Sequence, residues 1–297
     1  MQSIKIAVAQ FCGGQSVSSN LSTCTRLMRL ASQQGAKIVF LPEASDFIGN
    51  PPEEALLLAQ SLEVEDVSLS TPTATTTTMT TTSKSSFLKG LCDEAKQLGI
   101  GCSVGIHEKS PLQGRLYNTH VLISPQGDIT SSYRKIHLFD VNIAPNGPRL
   151  MESNTTVPGG TVTPPVSTPV GKVGLGICYD VRFPEMALKL RRMGAEILTY
   201  PSAFTVKTGE AHWEVLLRSR AIETQCYVVA AAQVGQHSEK RASYGHAMIV
   251  DPWGRVVAKC DGQEENIAVA EIDLEAMERI RTEMPVLNHR RDDVFSQ

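Results

Sequence analysis

Residues 173–185 read VGLGICYDVRFPE, and this stretch indicates how the chain is built. Apolar residues alternate with glycine from Val173 to Ile177, which is the pattern of a strand. Cys178 follows at the carboxyl end of that strand, and Pro184 suits the first turn of a helix. The stretch therefore predicts a strand that leads through a short turn into a helix, with a thiol at the turn.

The thiol of Cys178 has a position that suits a nucleophile. Backbone N–H groups lie near a strand end and a helix start, where they favour the thiolate over the thiol and can donate to an oxyanion. The same order of strand, turn, nucleophile and helix occurs in other hydrolases. The alternative that the local pattern leaves open is a buried strand cysteine without chemistry.

Helix patterns alternate with strand patterns on both sides of this stretch. Residues 21–34 and 86–98 have helical spacing, and they are followed by Gly35 and Gly99, which suit the position that ends a helix. Two turns that contain Pro and Gly, at residues 125–128 and 252–254, predict hairpins.

This mixture of strand–helix units and hairpins has a consequence for the fold class. It implies an α/β protein in which helices cover a mixed sheet. We find no linker that divides the chain, so we expect a single domain over residues 1–297.

One segment departs from this pattern. Residues 68–86 consist mostly of Thr and Ser, with runs of four and of three threonines. So few apolar side chains cannot form a core, and we therefore expect a disordered surface insertion at about 68–86.

Composition and charge exclude several classes of function. The net charge of −3 and the lack of a Lys/Arg cluster speak against nucleic-acid binding. The longest apolar run, residues 227–232, is too short to span a membrane. The first residues go straight into a strand pattern without a secretory signal, so we expect a cytoplasmic location, with a mitochondrial isoform left open.

The seven cysteines are irregularly spaced, and none of them forms a C-x-x-C pair. This spacing speaks against a zinc ribbon and against a thioredoxin-like site. Free thiols in a reducing compartment fit best.

Two further residues stand at strand ends. Glu43 follows the apolar stretch IVFLP, and a carboxylate there suits a general base if partial burial raises its pKa. Lys135, in YRKIHLFD, follows a hairpin strand, and a lysine there can stabilise an oxyanion. The alternatives are a helix cap or surface acid for Glu43 and an exposed strand end for Lys135.

Together these segments resemble the nitrilase superfamily of carbon–nitrogen hydrolases. The resemblance follows the family's order from residue 4 to about residue 272 and implies a four-layer αββα sandwich of two mixed sheets with helices outside. The matching segments are KIAVAQ, IVFLPEAS, GIHEK, RLYNTHVLISPQGDI, YRKIHLFDV, GICYDVRFPE, PSAFTVKTGEAHWEVLLRSRAIETQCYVVAAAQVG and YGHAMIVDPWGRVVA.

The resemblance also implies a role for each site residue. Cys178 is the nucleophile, Glu43 the general base and acid, and Lys135 stabilises the oxyanion with the backbone N–H of Tyr179. Glu152 matches a second glutamate that supports the site. The reaction proceeds through a thioester and requires no metal or organic cofactor.

Within the family the chain looks most similar to the deaminated glutathione amidase and ω-amidase branch. Tyr244 and Asp251, in RASYGHAMIVDPWG, favour the first of these two. The resemblance thus implies a small-molecule amide substrate, which is split into 2-oxoglutarate and cysteinylglycine. It also implies a homodimer that pairs through helices near the site.

A substrate of this kind carries carboxylates, which need a cationic partner when they are buried. Arg182, four residues after the nucleophile, is the candidate anchor, and Phe204 and Thr205 are candidate pocket walls. The alternative for Arg182 is a structural ion pair with Asp180 or Glu185.

Other functions stay open at this point. The same mechanism can act on 2-oxoglutaramate or on a nitrile. A Cys–His pair is a rival arrangement, since His107, His137, His212 or His246 can approach Cys178 in space. A non-catalytic interaction module is the remaining alternative, although it has no chemical need for all three site residues.

Overall fold

The computed structural model describes residues 4–65, 80–83, 86–142, 149–239 and 241–295. No helix in these ranges is both long and apolar enough to cross a membrane. The helices are α1 (Val17–Gln33), α2 (Pro52–Leu58), α3 (Ser86–Leu98), α4 (Pro184–Arg192), α5 (Val206–Thr224), α6 (Leu274–Glu283) and α7 (Asp292–Phe295), and two short 3₁₀ turns are Glu152–Asn154 and Cys178–Arg182.

The strands alternate with these helices along the chain. They are β1 (Ile4–Phe11), β2 (Ile38–Phe40), β3 (Leu62–Glu65), β4 (Thr80–Ser83), β5 (Gly101–Lys109), β6 (Leu116–Ile123), β7 (Ile129–Arg134), β8 (Asp140–Asn142), β9 (Arg149–Met151), β10 (Val166–Thr168), β11 (Gly171–Leu175), β12 (Ile197–Thr199), β13 (Tyr227–Ala230), β14 (Ala232–Ser238), β15 (Arg241–Tyr244), β16 (Met248–Val250), β17 (Val256–Lys259) and β18 (Asn266–Ile272).

The strands form two large mixed sheets. The first has the order β15-β14-β1-β2-β5-β6-β7-β4-β3, and β18 pairs with β1. In it β1, β2 and β5 are parallel, whereas β5, β6 and β7 are antiparallel. The second has the order β10-β11-β12-β13-β16-β17, with β11, β12 and β13 parallel. Strands β8 and β9 form a separate pair.

Alternate side chains of β1 enter different layers, as the period of a strand requires. Ile6 and Val8 belong to the same buried core as Val173 of the second sheet. Ala7 and Ala9 belong to the core that includes α1 and α3. Helices α4 and α5 pack on the second sheet, so the protein is the four-layer αββα sandwich that the resemblance implied.

The predicted helix ends and hairpins are confirmed. Helix α1 ends before Gly35, and α3 ends before Gly99, with φ angles of +83° and +64°. Glycine adopts this left-handed conformation without the steric cost that a Cβ atom brings. Strands β6 and β7 form the first predicted hairpin, and β16 and β17 form the second.

Most of the Thr/Ser-rich stretch, for which the sequence predicts disorder, lies outside the described residues. Within it the structure describes β4, which pairs with β3 and β7, and Ser86 at the start of α3. At residues 80–83 the chain thus forms a strand where the sequence predicted disorder.

A buried histidine joins the two sheets. His120 of β6 has no exposed surface, and its Nδ1 lies 2.9 Å from the carbonyl oxygen of Gly176, after β11. Because a carbonyl can only accept, Nδ1 carries the proton, and Nε2 accepts from the Ser103 hydroxyl at 2.6 Å. Burial lowers the pKa of His120 to about 4, so the ring is neutral near pH 7.

We expect His120 to make stability depend on pH. Between its ordinary pKa of 6.5 and about 4, the unfolded chain binds a proton that the folded chain does not. The free energy of unfolding should therefore fall as pH falls through this range, by up to about 3 kcal/mol from this group. Urea unfolding from pH 7 to pH 4 should show a smaller loss in His120→Asn than in wild type. Equal losses of unfolding free energy in wild type and His120→Asn would contradict this prediction. As a control, His289→Asn changes an exposed histidine and should keep the wild-type dependence of that free energy on pH.

Candidate active site

The candidate site lies where three strands end and the two sheets meet. Glu43 comes after β2, Lys135 directly after β7 and Cys178 after β11. The first two follow strands of the first sheet, and the third follows a strand of the second. The three residues are 5%, 2% and 9% exposed. The structure thus brings together the three residues that the sequence singled out.

Lys135 is the centre of the cluster. Its ammonium nitrogen lies 3.1 Å from Glu43 Oε1 and 2.9 and 3.1 Å from the two carboxylate oxygens of Glu152. The backbone N–H of Phe139 donates to Glu152 Oε2 at 2.7 Å and fixes that carboxylate. Glu152 therefore contacts Lys135 directly, in the place that suits a supporting glutamate.

The backbone at Cys178 is held in an uncommon conformation. Its φ angle is +45°, in the left-handed region that non-glycine residues seldom adopt, and its N–H donates to the Pro201 carbonyl at 3.0 Å. Strained turns of this kind present a nucleophile at the end of a strand in other hydrolases. The sequence predicted the turn but not its strain.

A buried carboxylate, Asp180, fixes this turn to the segment that carries Lys135. Its Oδ2 accepts from the Tyr133 hydroxyl at 2.8 Å and from the Ile177 N–H at 2.9 Å. Its Oδ1 accepts from the backbone N–H of His137 at 3.2 Å and contacts the His137 ring at 2.7 Å. Cys178 and Lys135 are thereby held in register across the two sheets.

Asn118 of β6 is a member of the cluster to which the sequence gave no role. Its side-chain NH₂ donates to Glu43 Oε1 at 2.7 Å and to Glu152 Oε1 at 3.0 Å. Glu43 Oε2 accepts from the backbone N–H of Ala203 at 2.8 Å. The only signal in the sequence was that Asn118 lies in the segment RLYNTHVLISPQGDI of the resemblance.

Glu43 can reach this position because Gly105 of β5 has no side chain. A Cβ atom at Gly105 would lie 2.6 Å from the Cα of Glu43 and 3.1 Å from the Pro42 carbonyl oxygen. Contacts this short require the backbone to move. The strand-end turn at Glu43 is therefore packed directly against β5.

Two of the three groups carry opposite charges. Burial favours the neutral form of Glu43, but Lys135 and the hydrogen bonds from Asn118 and Cys178 outweigh it and hold the pKa of Glu43 below its usual value. Burial likewise opposes the charge of Lys135, but Glu152 and Glu43 raise the pKa of Lys135 well above the usual value. Burial therefore does act to raise the pKa of Glu43, but its neighbours outweigh burial and the net shift is downward.

The thiol behaves differently from the expectation for a strand end. Burial and the neighbouring Glu43 carboxylate raise the pKa of Cys178 well above its usual value, and Lys135 only partly offsets them. Backbone N–H groups alone therefore do not produce a thiolate here. A protonated thiol beside an ionised carboxylate is an arrangement in which the carboxylate can take the thiol proton.

The proposed anchor, Arg182, lies beside aromatic rings. Its guanidinium carbon is 5.8 Å from the ring centre of Tyr179 and 5.7 Å from that of Phe204. It donates to His212 Nδ1 at 3.1 Å. In the described part of the chain no ion pair joins Arg182 to Asp180 or Glu185.

The two predicted pocket walls differ in what they contact. Phe204 is 8% exposed and packs on Trp213, with 4.8 Å between the ring centres. Thr205 precedes α5, and its hydroxyl lies 2.8 Å from that of Thr208 in the first turn of the helix. The structure thus groups Phe204 with Tyr179 and Arg182, while the hydroxyl of Thr205 is engaged by its own helix.

The rival Cys–His arrangement does not form among the described residues. His137 contacts Asp180, His107 contacts Asp46 and His212 contacts Arg182. His246 Nδ1 contacts the Tyr244 carbonyl. No histidine in these ranges hydrogen-bonds to the thiol of Cys178, and the titratable groups that act on this thiol are Glu43 and Lys135.

Comparisons with known proteins give a consistent result. Residues 5–282 match the model of the carbon–nitrogen hydrolase family. The deaminated glutathione amidase of Mus musculus is 48% identical over 294 residues, which are 98% of this chain and 84% of that protein.

Two solved structures are similar over nearly the whole chain. The C. elegans NitFhit protein superposes with a TM-score of 0.85 and 41% identity, over 99% of this chain and 67% of that one. Saccharomyces cerevisiae Nit3, a member of branch 10 of the nitrilase superfamily, superposes with a TM-score of 0.78 and 32% identity, over 98% and 97% of the two chains.

Proposed function

The chain belongs to the carbon–nitrogen hydrolase family and is an amidase of the nitrilase superfamily, and we propose that it hydrolyses deaminated glutathione through a thioester on Cys178. The observation that carries the mechanism is the buried contact of one thiol, one carboxylate and one ammonium group. Each has the protonation state that the first step of amide hydrolysis needs.

The first half of the reaction forms the thioester. Glu43 takes the proton of Cys178 as the sulfur attacks the amide carbon. The resulting oxyanion is stabilised by the ammonium group of Lys135 and by the backbone N–H of Tyr179. Glu43 then gives the proton to the amide nitrogen, the C–N bond breaks and the amine leaves.

The second half restores the enzyme. Glu43 takes a proton from water, which attacks the thioester carbon, and the carboxylic acid leaves as the Cys178 thiol is re-formed with that proton. Glu152 supports both halves because its two carboxylate oxygens contact the ammonium group of Lys135. No step needs a metal or an organic cofactor.

The choice of substrate rests on the relatives. Four mammalian relatives named deaminated glutathione amidase are 46–48% identical over 98% of this chain. Tyr244, one of the two residues that favoured this branch, donates its N–H to the Phe204 carbonyl at 2.9 Å. Asp251, the other, accepts from the N–H groups of Trp253 and Arg255 and stabilises a hairpin turn. The contact of Tyr244 is made by its backbone and Asp251 acts in the fold, so the proposed substrate rests on the relatives.

We further propose that Arg182 binds a carboxylate of the substrate. It lies four residues after the nucleophile, has no ion-pair partner in the described ranges and is flanked by Tyr179 and Phe204. Phe204 forms an apolar wall of the same pocket. Thr205 contributes by starting α5, which carries His212, the hydrogen-bond partner of Arg182.

A homodimer is part of the proposal. Val215 and Ile222 of α5 are 66% and 47% exposed, and Trp253 and Val257 of the adjacent hairpin are 56% and 42% exposed. The turn packs on the helix, since a Cβ atom at Gly254 would lie 2.6 Å from Ile222. These residues form one apolar surface, which suits pairing of two copies through α5.

We place the enzyme in the cytoplasm, in agreement with the state of its cysteines. All seven lie in described ranges and are free thiols. Free thiols persist in a reducing compartment. We propose a small-molecule amide as its reaction partner and neither nucleic acid nor a membrane.

Removal of the nucleophile tests the mechanism and the substrate together. Deaminated glutathione and 2-oxoglutaramate are given side by side to wild type, Cys178→Ala and, as control, Cys12→Ala, which alters an exposed thiol. We expect hydrolysis of the first substrate to fall below about one thousandth in Cys178→Ala and to persist in the control. The products, 2-oxoglutarate and cysteinylglycine, are measured directly.

Each other outcome has a definite meaning. Preference for 2-oxoglutaramate keeps the mechanism and moves the enzyme to the ω-amidase alternative. Activity that survives in Cys178→Ala overturns the nucleophile assignment. No wild-type activity on either substrate rejects the proposed substrate class.

Arg182→Lys tests the anchor. Lysine keeps the charge but cannot form the two parallel hydrogen bonds that a guanidinium gives a carboxylate. We expect KM for deaminated glutathione to rise by about tenfold with little change in kcat. Arg192→Lys, at a half-exposed ion pair with Asp292, is the matched control. A KM equal to that of wild type would reject the anchor role.

The dimer is tested by sedimentation velocity. We expect wild type to sediment as a dimer at micromolar concentration and Val215→Asp to sediment as a monomer, because the charge must be desolvated at the interface. Leu57→Asp, at an 80% exposed apolar residue of α2, should remain a dimer. A monomeric wild type contradicts the proposal, as does a dimer in Val215→Asp.

A further inference from the structure

The side chain of Asn118 completes a closed ring of hydrogen bonds in the site. Two donors, the Asn118 NH₂ group and the Lys135 ammonium group, alternate with two acceptors. The acceptors are the Oε1 atoms of Glu43 and Glu152, each of which receives both donors. One of the two donors is charged and titratable, and the other is neutral at every pH at which the protein is folded.

The orientation of this amide is fixed by its neighbours. If its oxygen and nitrogen were exchanged, the oxygen would lie against two carboxylate oxygens at 2.7 and 3.0 Å, without a proton between them. The backbone is fixed as well, because the Asn118 carbonyl accepts from the N–H of Lys135 at 2.8 Å. Asn118 therefore links the backbone of the lysine to the carboxylates that the lysine binds.

The amide oxygen shows that this arrangement is costly. Asn118 Oδ1 is buried and has no hydrogen-bond partner among the described residues. An unsatisfied buried acceptor destabilises the folded state. A residue selected for stability alone would not leave its carbonyl in this condition, so the value of Asn118 lies in its two donated hydrogen bonds.

We propose that Asn118 is a positioning residue that keeps Glu43 ionised and ready to take the proton of Cys178. The proposal rests on the base role of Glu43 in the proposed function. A hydrogen bond to the charged form of a carboxylic acid favours that form, and Asn118 supplies it without adding charge. A second cation in its place would lower the proton affinity of Glu43 further and weaken it as a base.

Other groups around Glu43 cannot replace this donor. Lys135 is shared between two carboxylates, and Glu152 is itself an anion that opposes the ionised form of Glu43. The Cys178 thiol gives its proton away in the reaction. His107 of β5 stands opposite Asn118 in the sheet, but its Nδ1 is engaged with Asp46. Asn118 is thus the neutral side-chain donor to Glu43, and its proton stays in place throughout the cycle.

The test measures the pH at which kcat/KM falls in acid. Asn118→Leu has nearly the same size and no donor, and Asn118→Ala removes the donor with less risk to packing. In both variants the pKa of Glu43 should rise, so the acid limb of kcat/KM should move to higher pH by about one unit. Thr119 lies next to Asn118 on β6, and Thr119→Val removes its hydrogen bond to Glu108. This control should keep the acid limb of wild type.

A second readout does not depend on the substrate. Iodoacetamide alkylation of the Cys178 peptide, followed by mass spectrometry at a series of pH values, reports transfer of the thiol proton to Glu43. Its acid limb should move in the same direction in both Asn118 variants, while the exposed Cys12 keeps its wild-type profile in the same samples. The alkylation profile can be measured even if deaminated glutathione is not the substrate. A wrong substrate assignment can therefore be told apart from a wrong role for Asn118.

The outcomes separate the possibilities. Displaced limbs in alkylation and in turnover support the proposal, and a displaced alkylation limb without turnover of the tested amides supports it while rejecting the substrate. Acid limbs that coincide with those of wild type in both Asn118 variants overturn the proposal, even if activity falls. A merely structural role would lower the rate at every pH and leave the position of the acid limb unchanged. If Asn118→Leu does not fold, Asn118→Ala decides.

Discussion

The arrangement depends on one buried charge, the ammonium group of Lys135. A lone ammonium group at 2% exposure would lose its proton, since the cost of desolvating it is several kcal/mol. Two carboxylates, Glu43 and Glu152, keep it charged, and their own positions are then fixed by Ala203, Phe139 and Asn118. Stability does not explain why such a buried charged cluster is present, because apolar side chains of similar volume often stabilise a protein equally well or better. Its net negative charge, next to a thiol, instead suits transfer of a proton.

The four-layer fold explains why the cluster forms at all. Glu43, Asn118 and Lys135 come from the first sheet, whereas Cys178 and Ala203 come from the second. The site therefore exists only while the two sheets keep their register. Two polar contacts maintain it: Asp180 binds the segment around Lys135, and the neutral ring of His120 binds the Gly176 carbonyl two residues before the thiol. The geometry of the site therefore depends directly on how the two sheets pack against each other.

The sequence predicted the parts of the site that end a strand and missed those that do not. Cys178 and Glu43 each follow an apolar stretch and Lys135 follows a hairpin strand, and carboxyl ends of strands are where sites collect. Asn118 lies inside β6, where a polar residue has no distinguishing pattern. Asp180 entered only as a partner for Arg182. The net direction of the Glu43 pKa shift was out of reach for a related reason: burial is readable from one segment, whereas the partners that outweigh it come from three others. The two-sheet sandwich itself followed from the resemblance and not from the alternation of strands and helices, which fits a single mixed sheet as well.

In the proposed mechanism the two shifted groups also determine when the nucleophile acts. The pKa of Cys178 is raised and that of Glu43 is lowered, so at rest the proton stays on sulfur and its transfer is unfavourable. The balance changes once an amide carbonyl approaches, because the negative charge then moves from sulfur to an oxygen held by Lys135. Stabilisation is thereby reserved for the transition state, which is the condition for raising kcat and not only binding. The same uphill transfer slows the reaction of the resting thiol with oxidants and alkylating agents, because the thiolate is the reactive form. A residue such as Asn118, which adjusts the proton affinity of Glu43 without adding charge, acts on both properties at once.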